Sequence, residues 1–264
     1  MNKGFVVLAQ NTEFVNYVKC AEVLARSIKK VMPDADITLI SDDVDDSKYF
    51  DKVVALPYGD LDKESNWKLI NDWQVYEASP YDYTIKLEAD MFIPRSIEHW
   101  WDVLKHRDVV VSTTIRDFKQ QISGVRTYRR FIDDNKLPDC YNSITYFKKS
   151  ELAEQFYKVV RDIFENWPEY RALMKCKSTE QASTDWVYAI AAHIIGKDKV
   201  TLPVFKDMSM VHMKTYINHI TSTDWTDSLV YEVLPDVLRI NTFPQHYPFH
   251  YHIKTFCDKL EAVV

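Results

Sequence analysis

The stretch YDYTIKLEADMFIP, residues 81–94, decides which fold the sequence predicts. A largely apolar run, 84–87, is typical of a buried strand, and a second apolar run, 91–93, follows the two carboxylates Glu88 and Asp90. Charged groups are costly in such surroundings unless something pairs with them. Hard divalent cations take carboxylate and phosphate oxygens together, so the pattern favours a site for a metal ion that carries a diphosphate.

Strand-like and helix-like segments alternate around this stretch. The predicted strands cover residues 5–9, 37–40, 53–56, 84–87, 108–114 and 143–147, and the predicted helices cover 16–31, 65–78, 151–167 and 184–195. Alternation of this kind predicts a largely parallel sheet with helices on both faces, whose ligands bind beyond the carboxyl ends of the strands. Several polar residues at predicted strand ends would then meet at one edge: Gln10, Thr12, Asp42, Glu88 and Asp90.

Composition bounds the class of protein. The 264 residues, 46% of them hydrophobic and 27% charged, suit a globular chain, and one compact domain, 1–264, is the simplest interpretation. No segment approaches the ~20 apolar residues that cross a bilayer. The amino terminus lacks the features of a signal peptide, so we expect a cytoplasmic protein with no membrane partner. The net charge of −6 gives no overall attraction to nucleic acid.

Cysteine and glycine usage excludes several kinds of site. The four cysteines, Cys20, Cys140, Cys176 and Cys257, form no CxxC pair, so reduced thiols are expected rather than a zinc cluster or a disulfide framework. The chain has only four glycines, which cannot be assembled into GxGxxG or GxxxxGK[ST]. A phosphate ligand would therefore be bound mainly by a metal ion and basic side chains.

Four short motifs follow one another along the chain: Glu88-Ala-Asp90, Tyr141-Asn-Ser143, Ser183-Thr-Asp-Trp186 and Val211-His-Met-Lys214. Their order, over residues 3–216, resembles the GT-A glycosyltransferases, and most closely the glycogenin and galactosyltransferase-like group, family 8. The chain departs from that pattern in having Glu88 at the first DxD position, Ile144 in place of glycine and Trp186 in place of glutamine, and in lacking the closing Lys-Pro-Trp.

The resemblance implies an α/β, GT-A (Rossmann-like) fold with a mostly parallel sheet and an irregular carboxyl-terminal region on the acceptor side. Residues 1–115 would form the nucleotide-sugar half, and 116–264 the acceptor half with a carboxyl-terminal extension. The implied activity is metal-dependent transfer of a sugar from a UDP-sugar, with Mn²⁺ or Mg²⁺, to the hydroxyl of a saccharide, a protein or a hydroxylated DNA base.

The resemblance and the residue types together predict three groups of site residues. The predicted metal ligands are Asp90, His212 and Glu88. The residues predicted to bind the donor are Gln10, Thr12, Asp42, Lys68 and Glu88. The predicted catalytic residues are Asp185 and Lys214, because a positioned carboxylate can act on an acceptor hydroxyl and an ammonium group can stabilise a leaving diphosphate.

Each of these predictions has a structural alternative. Asp90 can be a turn former at a strand end, His212 can be a buried core histidine, and the lysines can be ordinary surface residues. Asp185 can favour the positive end of the helix that follows Ser183 instead of acting as a base. Glu180 is a second, weaker candidate for the carboxylate on the acceptor side.

Two further sets of residues have suggestive spacing. Lys86 lies two residues before Glu88, so both side chains face the same side of a strand. His246, His250 and His252 are spaced as metal ligands can be, but alternating exposure along a strand explains the last two equally well. No metal site is therefore predicted there.

Two other functions remain open at this point. A nucleotidyltransferase of similar α/β layout is one, although it usually has a glycine-rich and basic loop near its amino terminus, which residues 9–12 lack. The other is a non-catalytic protein that binds nucleotide-sugars.

Overall fold

The computed structural model describes residues 2–65, 67–175, 181–234, 237–261 and 264, so Cys176 and Glu180 lie outside the described residues. The strands are β1 (Lys3–Leu8), β2 (Ile37–Ile40), β3 (Lys52–Val54), β4 (Tyr83–Glu88), β5 (Met91–Phe92), β6 (Val109–Ser112), β7 (Thr114–Arg116), β8 (Tyr141–Lys148), β9 (Ser209–His212), β10 (Tyr231–Leu234), β11 (Val237–Ile240), β12 (Phe243–Pro244) and β13 (Phe249–His250). The helices are α1 (Tyr17–Val31), α2 (Val75–Ala78), α3 (Trp100–Leu104), α4 (Arg130–Asp134), α5 (Glu151–Glu165), α6 (Trp167–Leu173), α7 (Thr184–Ile195), α8 (Lys197–Val200) and α9 (Cys257–Glu261). Short 3-10 helices cover Leu69–Gln74, Thr127–Arg129, Trp225–Asp227 and Lys254–Phe256.

The central sheet has six strands in the order β3-β2-β1-β4-β8-β6. The first four are parallel to one another, and β8 runs antiparallel to both β4 and β6. This arrangement confirms the predicted α/β fold with a mostly parallel sheet. The carboxyl ends of β1 and β4 lie side by side, with Leu8 opposite Glu88.

A second sheet has four strands in the order β5-β13-β9-β7. Strand β5 follows Asp90 directly and pairs antiparallel with β13, so that Met91 faces His250. Strand β9 runs parallel to both β13 and β7. Since β5 and β7 precede residue 117 while β9 and β13 follow residue 200, this sheet combines strands that are far apart in the sequence. A third, antiparallel sheet contains β10, β11 and β12.

Apolar side chains cover both faces of the central sheet, as alternation along its strands requires. On β1, Phe5 and Val7 pack on the face that α1 covers, whereas Val6 packs on the opposite face with α5 and α7. The close packing leaves no room for a side chain at Gly4, because a Cβ there would lie 2.3 Å from the ring of Tyr81. No helix among the described residues is both long enough and apolar enough to cross a bilayer.

Two predicted elements differ from the observed ones. The helix predicted over 65–78 begins only at Leu69, as a 3-10 helix, because Lys68 has a left-handed backbone with φ of 51°. The strand predicted over 108–114 is divided into β6 and β7, which belong to different sheets. The chain changes direction at Lys68 beside the cavity, and again between β6 and β7, where it passes from one sheet to the other. Hydrophobic periodicity along the sequence does not predict such changes of direction.

Candidate functional site

A cavity of about 330 Å³ opens beyond the carboxyl ends of β1 and β4. This is the edge at which parallel α/β sheets bind ligands, because the strand ends diverge there and the following loops leave a crevice. Five of the predicted site residues line it: Gln10, Lys68, Glu88, Asp90 and Lys214.

Asp90, His250 and His252 form a candidate metal site in this cavity, here called the metal cluster. Each residue offers one ligand atom, and these atoms lie within 4.8 Å of one another. The Nε2 atom of His250 is 2.8 Å from Oδ2 of Asp90 and 3.5 Å from Oε2 of Glu88. The pairing of β13 with β5 brings these residues together, although 160 positions of sequence separate His250 from Asp90.

His252 and His212 are held in their neutral form. Burial, followed by the nearby charges of His250 and Lys214, lowers the pKa of His252 to about 3. Burial and the same two neighbours hold the pKa of His212 well below its usual value. A neutral imidazole is the form that binds a metal ion, so His252 is ready to act as a ligand at neutral pH.

The Asp90 carboxylate is ionised although only 4% of the residue is exposed. Burial alone would raise its pKa, but the charges and hydrogen bonds of His250 and Lys254 outweigh burial and hold the pKa well below the usual value. Lys254 forms an ion pair with Asp90, and the pKa of Lys254 is raised because the attraction of Asp90 exceeds the effect of its own burial. Lys214 lines the same cavity, so two ammonium groups stand beside the metal cluster.

The donor set of the metal cluster fits a divalent cation. It combines a carboxylate oxygen with two imidazole nitrogens, and Glu88 lies close enough to add a second oxygen. The Nδ1 atoms of His250 and His212 are buried and have no hydrogen-bond partner among the described residues. Nitrogen ligands favour Mn²⁺ over Mg²⁺, which prefers oxygen.

His212 lies behind the metal cluster and not within it. Strand β9 places it opposite His250 in the neighbouring strand, and the two rings stack with centroids 4.6 Å apart. The converging ligand atoms belong to Asp90, His250 and His252. The metal cluster therefore contains His250 of the neighbouring strand and His252, which lies two residues beyond it, and a ligand role for His212 stays a prediction. The pattern His-x-Lys occurs twice in the sequence, at 212–214 and at 252–254.

Lys68 lines the cavity, but its charge is already neutralised. Its ammonium group lies 2.6 Å from Oδ2 of Asp60 and also donates to the carbonyl oxygens of Asp62 and Lys63. Asp60 accepts a further hydrogen bond from Asn71, which also donates to Oε1 of Gln10. Lys68 thus shapes the loop beside the cavity, and the network holds Gln10 in place at the end of β1.

Two residues predicted to bind the donor are absent from the cavity lining. The hydroxyl of Thr12 accepts a hydrogen bond from the backbone N–H of Val15, which closes a turn before α1. Oδ1 of Asp42 accepts from the backbone N–H of Leu56 and so joins the segments that follow β2 and β3. Both side chains have structural roles at strand ends, where short polar residues commonly bind the backbone.

Asp185 belongs to a different group, here called the arginine cluster, with Arg129 and Asp139. Oδ2 of Asp185 is 2.9 Å from Nη1 of Arg129, whose side chain is 2% exposed. Oδ1 of Asp185 accepts a hydrogen bond from the backbone N–H of Asn142 at the start of β8. Each oxygen of Asp185 thus has one protein partner, and Asp185 is absent from the cavity lining, whereas Ser183 and Thr184 are present. The arrangement suits a structural role better than the predicted general-base role.

Several residues of the cavity were not predicted from the sequence: His250, His252, Lys254, Tyr17, Trp67 and Asp72. The spacing His250-x-His252-x-Lys254 was a usable signal, although the backbone is not extended there, since His252 has φ of 63° and Lys254 begins a 3-10 helix. No sequence signal distinguishes Trp67, whose indole is well exposed at the edge of the cavity.

The fold of this chain is similar to that of LgtC. No family model and no curated protein sequence matches the chain. Two crystal structures of LgtC, one of an active-site mutant and one of galactosyltransferase LgtC in complex with donor and acceptor sugar analogues, are similar with a TM-score of 0.56 and 13% sequence identity. They cover 98% of this chain and 95% and 94% of theirs. Mouse xyloside xylosyltransferase 1 covers 77% of this chain and 85% of its own, with a TM-score of 0.46 and 10% identity.

The chain therefore has the mixed α/β fold of GT-A glycosyltransferases, with helices flanking a mostly parallel sheet. The closer resemblance to family 8 stays a prediction.

Proposed function

We propose that this chain is a metal-dependent glycosyltransferase, which moves a sugar from a UDP-sugar to an acceptor hydroxyl on a saccharide, a protein or a hydroxylated DNA base. One observation carries the proposal. The metal cluster, Lys214 and Lys254 line a single cavity at the carboxyl edge of a GT-A sheet. That combination of ligands and ammonium groups suits a divalent cation together with a diphosphate.

The cationic groups of the cavity can stabilise a nucleoside diphosphate as it leaves the sugar. Negative charge grows on the diphosphate as the bond to the sugar breaks, and preorganised cationic groups stabilise that charge. A bound Mn²⁺, held by Asp90, His250 and His252, would supply Lewis-acid stabilisation there. Lys214 acts on the same phosphates as a point charge. Lys254 can exchange the Asp90 carboxylate for a phosphate oxygen, since both are anionic oxygens beside one cavity.

The remaining surfaces of the cavity favour a nucleoside on one side and an acceptor on the other. Gln10, oriented by Asn71, and the ring of Tyr17 lie by the end of β1 and the start of α1, where a nucleoside would be bound. Trp67 is 62% exposed at the cavity edge. Exposed aromatic rings stack on sugar faces or bases, so Trp67 is available to a ring-containing acceptor.

Thermal stabilisation by nucleotides tests the proposal. UDP, GDP, CDP and several UDP-sugars are each added with Mn²⁺ and, separately, with a chelator. A ligand that binds the native state raises the melting temperature by mass action. We expect a shift with uridine nucleotides that requires Mn²⁺, and no shift with any nucleotide would overturn the proposal. Pyrophosphate release from a nucleoside triphosphate and a sugar phosphate would instead identify a nucleotidyltransferase.

A further inference from the structure

A buried ion pair forms part of the floor of the cavity. The Nζ atom of Lys86 lies 2.7 Å from Oδ1 of Asp72, and the two side chains are only 2% and 9% exposed. Both residues line the cavity. Lys86 lies on β4, and Asp72 lies on the 3-10 helix Leu69–Gln74. One positive and one negative side chain therefore form part of the cavity floor, although apolar side chains would have been less costly to bury there.

The ion pair keeps hydrogen-bonding capacity that the protein does not use. Nζ of Lys86 has three donors, and its partners are Asp72 and, at 3.3 Å, the carbonyl oxygen of Asn142. Oδ2 of Asp72 accepts from the hydroxyl of Tyr188 at 2.6 Å. Each carboxylate oxygen can accept about two hydrogen bonds. Among the described residues neither group has a further partner, so one donor and some acceptor capacity remain for a molecule in the cavity.

The arginine cluster is an ion pair that lies away from the cavity, and although Arg129 is 2% exposed, Asp139 and Asp185 are 30% and 26% exposed. The guanidinium of Arg129 donates to Asp139, to Asp185 and to the carbonyl oxygen of Cys140. None of these residues lines the cavity. The Lys86–Asp72 pair differs because it faces the cavity and because both of its side chains are buried.

The position of the pair corresponds to the sugar of the proposed donor. Lys86 and Glu88 face the same side of β4, and two residues along a strand span roughly 6.6 Å. Glu88 in turn is 3.5 Å from His250 of the metal cluster. A sugar attached to a diphosphate at the metal cluster would reach the floor formed by Lys86 and Asp72, because it is bonded directly to the second phosphate.

On the basis of the proposed function, we infer that Asp72 and Lys86 bind hydroxyl groups of the donor sugar and select a neutral, polyhydroxylated sugar. A sugar hydroxyl can donate to the carboxylate and accept from the ammonium group, which matches the capacity that the pair leaves free. The pair has no net charge, and Glu88 adds a negative charge nearby. The carboxylate of a uronic acid would therefore be repelled by Asp72 and Glu88. The ammonium group of Lys86 would not offset this repulsion, because Asp72 already neutralises it.

Calorimetric dissociation constants for UDP and UDP-glucose, with Mn²⁺, test the inference in the double variant Asp72→Asn/Lys86→Met. Replacing both partners avoids leaving one buried charge without its counter-ion. We expect the Kd of UDP to stay within about twofold of the wild type and the Kd of UDP-glucose to rise roughly tenfold to a hundredfold, because hydrogen bonds to charged groups are lost. Equal changes for UDP and UDP-glucose, or no change for either, would overturn the inference.

Tyr188→Phe is the matched control. It removes the hydroxyl that supports Asp72 but leaves the charges that face the cavity, and Tyr188 itself does not line the cavity. We expect lower stability with an unchanged ratio of the two dissociation constants. A ratio that changes as much as in the double variant would mean that the pair acts only through the fold.

Measurements on the wild-type protein alone test the inference if the double variant does not fold. Deoxy analogues of UDP-glucose should include at least one that binds roughly tenfold more weakly, and UDP-glucuronate should bind more weakly than UDP-glucose. Equal affinities across this panel would overturn the inference while Mn²⁺-dependent binding of UDP still supported the proposed function. Failure of UDP itself to bind would overturn the proposed function instead.

Discussion

Asp90 and Asp185 each belong to a short sequence motif, but they have different neighbours in the structure. Histidines surround Asp90, whereas Asp185 pairs with an arginine. In the metal cluster, Asp90 faces a cavity, and its neighbour His250 has a ring nitrogen with no hydrogen-bond partner among the described residues. In the arginine cluster, both oxygens of Asp185 are bound by protein groups. A carboxylate is available for chemistry only when its partners leave ligand-binding capacity free, and the sequence motif does not reveal that.

The two clusters also differ in the kind of cation they contain. A guanidinium presents several donors in a rigid fork and satisfies the carboxylates of Asp139 and Asp185 together. The ammonium group of Lys254 is a point charge on a flexible stem, so it can move from Asp90 to another anion. We therefore expect substitutions in the metal cluster to affect ligand binding and those in the arginine cluster to affect stability.

The largest expected effect is that of Asp90→Asn. Removal of the negative charge from the metal cluster should abolish Mn²⁺-dependent UDP binding and lower kcat roughly a hundredfold or more, while the protein remains folded. Titration calorimetry with UDP and Mn²⁺, together with circular dichroism, checks this. Unchanged UDP affinity in a folded variant would contradict the assignment of the metal cluster.

Asp185→Asn should have the opposite signature. The charge-assisted bond to Arg129 is weakened, and the free energy of unfolding should fall by about 1–3 kcal/mol, whereas the Kd of UDP should not change. Urea denaturation and calorimetry on the same preparation measure the two quantities. A loss of transfer without any loss of stability would show that Asp185 acts as the acceptor-side base, and the contrast between the clusters would then be wrong.

A smaller effect is expected for Lys214→Met. The loss of one ammonium group beside the diphosphate should weaken UDP binding and lower kcat by about tenfold, which is roughly 1.4 kcal/mol. Lys199→Met, at an exposed lysine of α8, is the matched control. Equal values of kcat and of the Kd of UDP in the two variants would show that Lys214 does not act on the diphosphate.

The last expected effect, which is small for each pH unit, is a difference in acid sensitivity. The pKa of His252 is about 3 in the folded protein, whereas an unfolded histidine has a pKa near 6.5. Between these values the unfolded state binds more protons, so the stability of the metal-free protein should fall as the pH decreases from about 6.5 toward 3. The slope is at most about 1.4 kcal/mol per pH unit for one histidine.

His252→Asn should flatten this profile, and Asp185→Asn should leave it parallel to the wild-type profile. Denaturation with urea at several pH values in the presence of a chelator provides the measurement. If both variants kept the wild-type slope, the neutral state of His252 would not be the source of the acid sensitivity.

Local features of the sequence were sufficient for much of the fold. The helix predicted over 184–195 coincides with α7, which begins after Ser183 and ends before Gly196, where φ is 107°. The strand predicted over 37–40 coincides with β2. Both depend on short-range patterns of apolar residues and on turn chemistry at the ends. The helix predicted over 65–78 was too long because Lys68 has a left-handed backbone, and its ammonium group is bound by Asp60 in the preceding loop.

The sequence by itself determined that Asp90 follows a buried strand and that the sheet is mostly parallel, because those properties depend on neighbouring residues. Only the tertiary structure decided that His250 and His252, rather than His212, stand beside Asp90. Pairing between β5 and β13 joins segments about 160 positions apart, and hydrophobic periodicity contains no information on which strand becomes the neighbour. The same holds for Asp185: the motif at 183–186 predicted an acceptor-side base, and only the tertiary structure shows that Arg129, 56 positions away, donates a hydrogen bond to it.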